Sequence, residues 1–106
     1  MPLEPIWCGG ADPIAQRREQ WSDGANAFAL APGVIVTYAR NTRTLRELGA
    51  FGFRTVTCEE FVRNATFYLR GADRVAVAID GTELVRGRGG PRCLTMPLRR
   101  SSLTVP

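Results

Sequence analysis

Apolar positions along the chain change spacing several times, and each change marks a predicted element. Between Asn26 and Leu30, and again between Val34 and Tyr38, apolar and β-branched residues flank Ala31-Pro32-Gly33, the pattern of two strands joined in a hairpin. Pro-Gly favours a type II turn there, whose twist suits a hairpin less well than the primed types. Leu45 and Leu48 share one face of a helix predicted from Thr42 to Leu48, with Asn41 as its cap and Gly49 as its stop. Phe53 to Thr57 returns to strand. Thr57-Cys58-Glu59-Glu60 then has the form of a capping box, and Phe61, Ala65 and Leu69 recur at i, i+4 and i+8 with Val62 alongside. That spacing predicts one helix ended by Gly71. Arg74 to Ile79 reads as an alternating or buried strand, Asp80-Gly81 as a turn, and Glu83-Leu84-Val85 as a brief return strand. Upstream, Asp12-Pro13 is an N-cap with proline at the first helical position, leading into a helix that runs to Trp21 and stops at Ser22-Asp23-Gly24. Leu94 to Leu98 is a short strand whose Pro97 places it at an edge or an end. Arg99 to Pro106 is a polar tail expected to fray. Strand, strand, helix, strand, followed by a looser second version, is an α+β pattern with no internal domain boundary in residues 1–106.

Length and composition narrow this further. At 106 residues the chain fits one small domain. Such a domain buries roughly 60–70% of its unfolded surface, enough for a modest core. Hydrophobic content of 44% and charged content of 23% are ordinary for a globular chain. All 14 positive residues are arginine, against 10 acidic ones, and histidine is absent. The missing imidazole removes the commonest general acid/base near neutral pH and the commonest metal ligand. Cys8, Cys58 and Cys93 are widely spaced, with no Cys-x-x-Cys pair and no histidine to complete a zinc set, so no metal is expected. Met1 to Gly10 lacks the basic start and apolar run of a signal peptide, and nothing approaches the ~18 apolar residues of a spanning helix. A reducing, cytoplasmic setting away from membranes is the expectation. Asn64-Ala65-Thr66 matches the glycosylation pattern, a chance match in such a chain. A net charge of +4 with acidic residues interspersed argues little for nucleic acid.

The segment most loaded with chemistry is Arg86-Gly87-Arg88-Gly89-Gly90-Pro91-Arg92-Cys93, three arginines and three glycines converging on one cysteine. Glycines allow positive φ and close backbone approach, so such a loop can wrap a small ligand or move over it. Three guanidinium charges favour thiolate over thiol at Cys93, the reading of an activated nucleophile. A buried cysteine opening an edge strand after a solvated turn is the other reading, and composition leaves both open. One Arg-Gly-Gly element without repeats or interleaved aromatics is a poor match to single-stranded RNA binding.

Three segments, in order, carry a resemblance. They are Cys8-Gly9-Gly10; then Arg18-Glu19-Gln20-Trp21-Ser22-Asp23-Gly24-Ala25-Asn26 with Ala31-Pro32-Gly33-Val34 and Tyr38-Ala39-Arg40-Asn41-Thr42; and Glu83 through Leu98, which includes Arg86-Gly87-Arg88-Gly89-Gly90-Pro91-Arg92-Cys93. Together they resemble the C-terminal part of the arginine deiminase family of the pentein superfamily, with the likeness weakening between Leu45 and Thr82. The resemblance implies part of a five-bladed α/β propeller, with about two of its five ββαβ modules in this chain. It implies Cys93 as the nucleophile that attacks the guanidinium carbon of L-arginine. A covalent amidino-cysteine is then hydrolysed to L-citrulline, with ammonia as the other product. Gly87 and Arg88 would contact the bound substrate from a loop spanning residues 86–93, and no metal or organic cofactor is implied.

Departures from the family are equally informative. Complete enzymes are longer and carry a His-x-Asp motif, a glutamate and a guanidinium-binding aspartate upstream of the matching region, and none of these has a counterpart here. Asp12, Asp23 and Asp80 sit in capping and turn contexts and read as structural. The isolated chain is therefore expected to be inactive. Trp21 reads as a packing anchor, Asn26 as a turn or strand-entry hydrogen bonder, Phe61, Phe67 and Tyr68 as helix core, and Cys8 and Cys58 as thiols without a role. The alternative is a non-catalytic remnant or binding subunit that docks on another pentein chain. Cutting a propeller leaves module faces uncovered, so self-association or docking through them is expected in either case.

Overall fold

In the computed structural model, which describes residues 3–71, 73–81 and 89–102, the first helix begins where the sequence places it. Asp12 accepts the Ile14 N–H at 3.2 Å, and Pro13 opens α1 (Pro13–Trp21). Only Ala15 and Glu19 of α1 are buried. Trp21 is about 200° around the helix from Glu19, and it is 74% exposed rather than a packing anchor.

The hairpin forms from β1 (Phe28–Ala31) and β2 (Val34–Tyr38), paired antiparallel. The first strand starts at Phe28 instead of Asn26 because the Asn26 and Ala27 N–H groups are committed to Asp23 and Ala25 carbonyls at 2.9 and 3.0 Å. Gly33 has φ +78, as the second central position of a type II turn requires. A register shift between Ala29 and Ala31 absorbs the twist mismatch of that turn.

α2 (Thr42–Ala50) runs through Gly49 and turns only at Gly52, whose φ is +90. A Cβ on either Gly49 or Gly52 meets no atom within 4 Å, so only backbone conformation separates the two sites. Gly49→Ala is expected to stabilise the chain by about 0.5–1 kcal/mol, and Gly52→Ala to destabilise it by about 1–2 kcal/mol. Urea midpoints of the two variants measure this, and shifts of the same sign would contradict it.

β3 (Phe53–Thr57) leads into α3 (Cys58–Arg63), where the N-cap half of the expected box forms: the Thr57 hydroxyl accepts the Glu60 N–H at 3.1 Å, while the Glu60 carboxylate accepts from Asn64 and Tyr68. The single helix expected beyond it is two, because Asn64 leaves helical geometry at φ −125, ψ 33 before α4 (Ala65–Arg70). The Asn64 amide donates back to the Glu60 carboxylate at 3.2 Å. This break resets the helical phase. Tyr68 is buried, Phe61 packs partly against the core, and Val62, Phe67 and Leu69 are 70%, 63% and 44% exposed.

β4 (Arg74–Ile79) completes one four-stranded sheet in the order β1-β2-β4-β3, pairing parallel to both β2 and β3. Both groups of strands read from the sequence thus share one sheet. A central parallel strand is covered on both faces and reads as an unbroken apolar run, and Val75, Ala76 and Val77 are at most 2% exposed. With Val34, Val56 and Tyr68 they form the core. Each fully buried valine contributes about 1.5–3 kcal/mol relative to exposure.

Leu94 to Leu98 is not a strand. The Leu94 N–H closes a turn on the Gly90 carbonyl at 2.9 Å, the Thr95 hydroxyl donates to the Pro91 carbonyl at 2.7 Å, and Pro97 has no N–H to offer. Glu83-Leu84-Val85 and Arg86, Gly87 and Arg88 lie outside the described residues.

Candidate active site around Cys93

The site is assembled from three places far apart in sequence. The turn after α1 supplies Asp23 and Asn26, the end of β2 supplies Tyr38, and the Gly90–Leu94 turn carries Cys93. What fixes the first of these is a buried carboxylate. Glu19, 6% exposed, accepts the Arg43 N–H at 3.0 Å and, on its other oxygen, both the Thr44 N–H and the Thr44 hydroxyl at 2.8 Å. Those N–H groups belong to the first turn of α2, which has no carbonyl partner of its own to offer them. A negative group there also suits the helix dipole. Asn41, expected to cap α2 with its side chain, instead donates that amide to the Ser22 carbonyl at 3.0 Å. It can do so because Glu19 has taken the capping role. Gly24 N–H donates to the Glu19 carbonyl at 2.7 Å, and Gly9 N–H donates to the Thr44 hydroxyl at 2.9 Å, so the N-terminal segment joins the same network.

The turn held this way presents Asn26 to Cys93. Its amide nitrogen donates to the Cys93 sulfur at 3.2 Å while its oxygen accepts the Arg92 N–H at 3.0 Å. A Cβ on Gly90 would fall 2.4 Å from the Asn26 side chain, so only glycine admits the amide at that point. Tyr38, fully buried, donates its hydroxyl to the Gly89 carbonyl at 2.6 Å.

Cys93 is exposed, and its thiol is held below the ordinary range. The hydrogen bond from the Gly90 backbone is the largest cause and the Asn26 amide the next; desolvation and the Asp23 charge oppose them, and the Arg92 charge adds the least. The sequence ascribed this lowering to arginine charge, but hydrogen bonds contribute more. Cys8 behaves oppositely, pushed up by burial and by the Glu19 charge. Cys58 is exposed at the start of α3, and all three thiols are free. Asn26 is a hydrogen bonder, as its place at strand entry suggests, but its target is the cysteine turn. Asp23, assigned to a turn, also acts on Cys93 and Tyr38 through its charge. Gly87 and Arg88 are not among the described residues. A cavity of about 470 Å³ lies beside Asn26, lined also by Trp7, Cys8, Gln16, Gln20 and Asp23. Among the described residues no three His, Cys, Asp or Glu side chains gather as a metal site, and no helix is long and apolar enough to cross a membrane.

Chemically, a solvent-facing thiol with the neutral Asn26 amide donating to its sulfur is suited to nucleophilic attack, and nothing beside it supplies an imidazole. The family model described as arginine deiminase matches residues 1–100. Among curated proteins, the arginine deiminases of Streptococcus sanguinis (strain SK36) and Streptococcus pneumoniae (strain Hungary19A-6) are each 42% identical to this chain over 98 residues. The match covers 92% of this chain but 19% of each relative, so the chain spans a minor part of their length.

Proposed function

This chain belongs to the arginine deiminase family, and we propose that it carries the nucleophilic half of the family's reaction, with Cys93 as the nucleophile and L-arginine as the substrate. The thiolate adds to the guanidinium carbon, the C–N bond to a terminal nitrogen breaks, and that nitrogen leaves as ammonia after taking a proton. Water then adds to the amidino carbon, the C–S bond breaks, and citrulline departs with the thiolate restored. The observation that carries this reading is the Cys93 turn, whose exposed sulfur receives the Asn26 amide at 3.2 Å. Gly87 and Arg88 would contact the bound substrate. Three free thiols suit a cytoplasmic setting.

The proton transfers need a group this sequence does not contain, since it has no histidine. General acid–base help of that kind contributes ~10²–10⁴ in rate. The carboxylates that would hold the guanidinium come from the same missing region, as do the remaining modules of a five-bladed propeller. Strands β1 and β3 have no further neighbour among the described residues, and Leu94, Met96 and Leu98 are 64%, 77% and 87% exposed. Those surfaces favour docking onto complementary modules or onto a second copy.

The purified 106-residue chain is expected to form no citrulline from arginine above background. Co-expression with the complementary N-terminal portion of the Streptococcus sanguinis enzyme should yield citrulline, and Cys93→Ser in that pair should abolish it. Sustained turnover by the chain alone would refute its incompleteness, and turnover surviving Cys93→Ser would refute the nucleophile.

A further inference from the structure

Tyr38 ends β2 with its ring wholly enclosed, at 0% exposure, and its hydroxyl reaches 51 positions along the chain to the Gly89 carbonyl. At 2.6 Å this is a short O–H···O bond. The Gly89 C=O and the Gly90 N–H belong to one peptide plane. In a trans peptide they point in opposite directions, and no cis peptide is present among the described residues. Holding the Gly89 carbonyl therefore fixes the peptide plane from which the turn carrying Cys93 begins. The next carbonyl, of Gly90, accepts the Leu94 N–H at 2.9 Å, so the turn between is closed on itself. Its far end is held by the Asn26 oxygen on the Arg92 N–H at 3.0 Å.

We propose that Tyr38 is a positioning residue for Cys93: its hydroxyl clamps the Gly89–Gly90 peptide, the entry to the turn that holds the sulfur against the Asn26 amide. Phenylalanine would fill the same volume, so packing alone does not call for the hydroxyl. Burial, with the negative charges of Asp23 and Cys93 beside it, pushes the Tyr38 hydroxyl up, which keeps it a donor where Cys93 ionises. The role rests on Cys93 being the reactive thiol of the site.

Tyr38→Phe is the test, read by the pH profile of iodoacetamide labelling at each cysteine. The expected result is an upward move of the Cys93 midpoint and a several-fold slower Cys93 rate near neutral pH, with the Cys8 and Cys58 profiles and the circular dichroism unchanged. An unmoved Cys93 midpoint, or equal changes at all three cysteines, overturns the role. Should the variant not fold, the unaltered chain decides: the Gly90 amide proton should shift with the ionisation of Cys93 in a pH titration by NMR, and an indifferent Gly90 amide overturns the clamp. If Cys93 in the unaltered chain labels no faster than Cys58, the nucleophile reading falls and the clamp with it. A fast Cys93 indifferent to Tyr38→Phe removes the clamp alone.

Discussion

Glu19→Ala is expected to lower folding stability by about 3 kcal/mol or more, the largest loss of any single side-chain truncation considered for α1. The carboxylate accepts three hydrogen bonds, from Arg43 N–H, Thr44 N–H and Thr44 hydroxyl, at 2.8 to 3.0 Å. Bonds to a charged group contribute about 1.5–3 kcal/mol each, and they are not fully additive. Alanine also leaves the buried Thr44 donors without their acceptor, and an unmet buried donor costs about 1–3 kcal/mol. α1 has little to offset this, since Glu19 is one of only two residues it buries. For a chain of this size the loss corresponds to a fall in melting temperature of roughly 12–24 °C. Glu19→Gln keeps one acceptor oxygen and should lie between, because its amide group faces the Arg43 N–H with hydrogens of its own. Thermal unfolding followed by circular dichroism measures all three proteins. Glu19→Ala within about 1 kcal/mol of the unaltered chain would show that α1 and α2 are held by something else. The variant should also slow labelling of Cys93, because α1, from which the Ser22–Asn26 turn continues, loses its side-chain tie to α2.

Glu19 also marks where sequence reading stops. Within Arg17-Arg18-Glu19-Gln20 it looks like one more solvated charge on a polar helix, and only the arrival of the Thr44 end of α2, 25 residues later, turns it inward. Elements whose start and stop are written in adjacent residues were legible: Asp12-Pro13 for α1, the Thr57 cap for α3, the apolar run for β4. Features set by competition between near-equal local choices were not. Gly49 and Gly52 both suit a helix end, and the chain uses Gly52. The spacing of Phe61, Ala65 and Leu69 continues through Asn64, and nothing in that period shows that the Asn64 amide prefers the Glu60 carboxylate. Leu94 to Leu98 has strand-like residues, but the Leu94 and Thr95 donors are taken up by the turn that holds Cys93. At the site, Cys93 stood out because its glycines and arginines are its neighbours. Asn26 and Tyr38 did not, since Asn26 reaches the sulfur across 67 residues and Tyr38 reaches Gly89 across 51. Their only local signal was a polar residue at strand entry and a tyrosine at strand end. The family resemblance supplied the segments containing both without assigning either to the cysteine.

Cys93 is expected to label with iodoacetamide faster than Cys58, and Cys8 to be slowest, at pH 7. Thiolate is the reacting form, and each unit by which a thiol's pKa falls raises the thiolate fraction about tenfold while both lie above the working pH. Nucleophilicity falls at the same time with a Brønsted slope of about 0.4–0.5, so the net gain is about three-fold per unit. Cys93 is lowered by the Gly90 and Asn26 hydrogen bonds, whereas Cys8 is raised by burial and by Glu19 and is only partly accessible. Cys58 separates ionisation from access, because it is exposed as Cys93 is. Profiles from pH 5 to 9, read by mass spectrometry of the cysteine peptides, should place the Cys93 midpoint below the Cys8 midpoint. The sign follows from the direction of each shift: a lowered thiol reaches its plateau rate at lower pH, a raised one at higher pH. Above its midpoint Cys93 gains nothing more, so the ratio of Cys93 to Cys8 rates should shrink as pH rises further. Asn26→Ala removes one of the two donors and should move the Cys93 midpoint up while leaving Cys58 where it is. Equal rates at Cys93 and Cys58, or a ratio that does not change with pH, would mean that the turn presents an ordinary thiol.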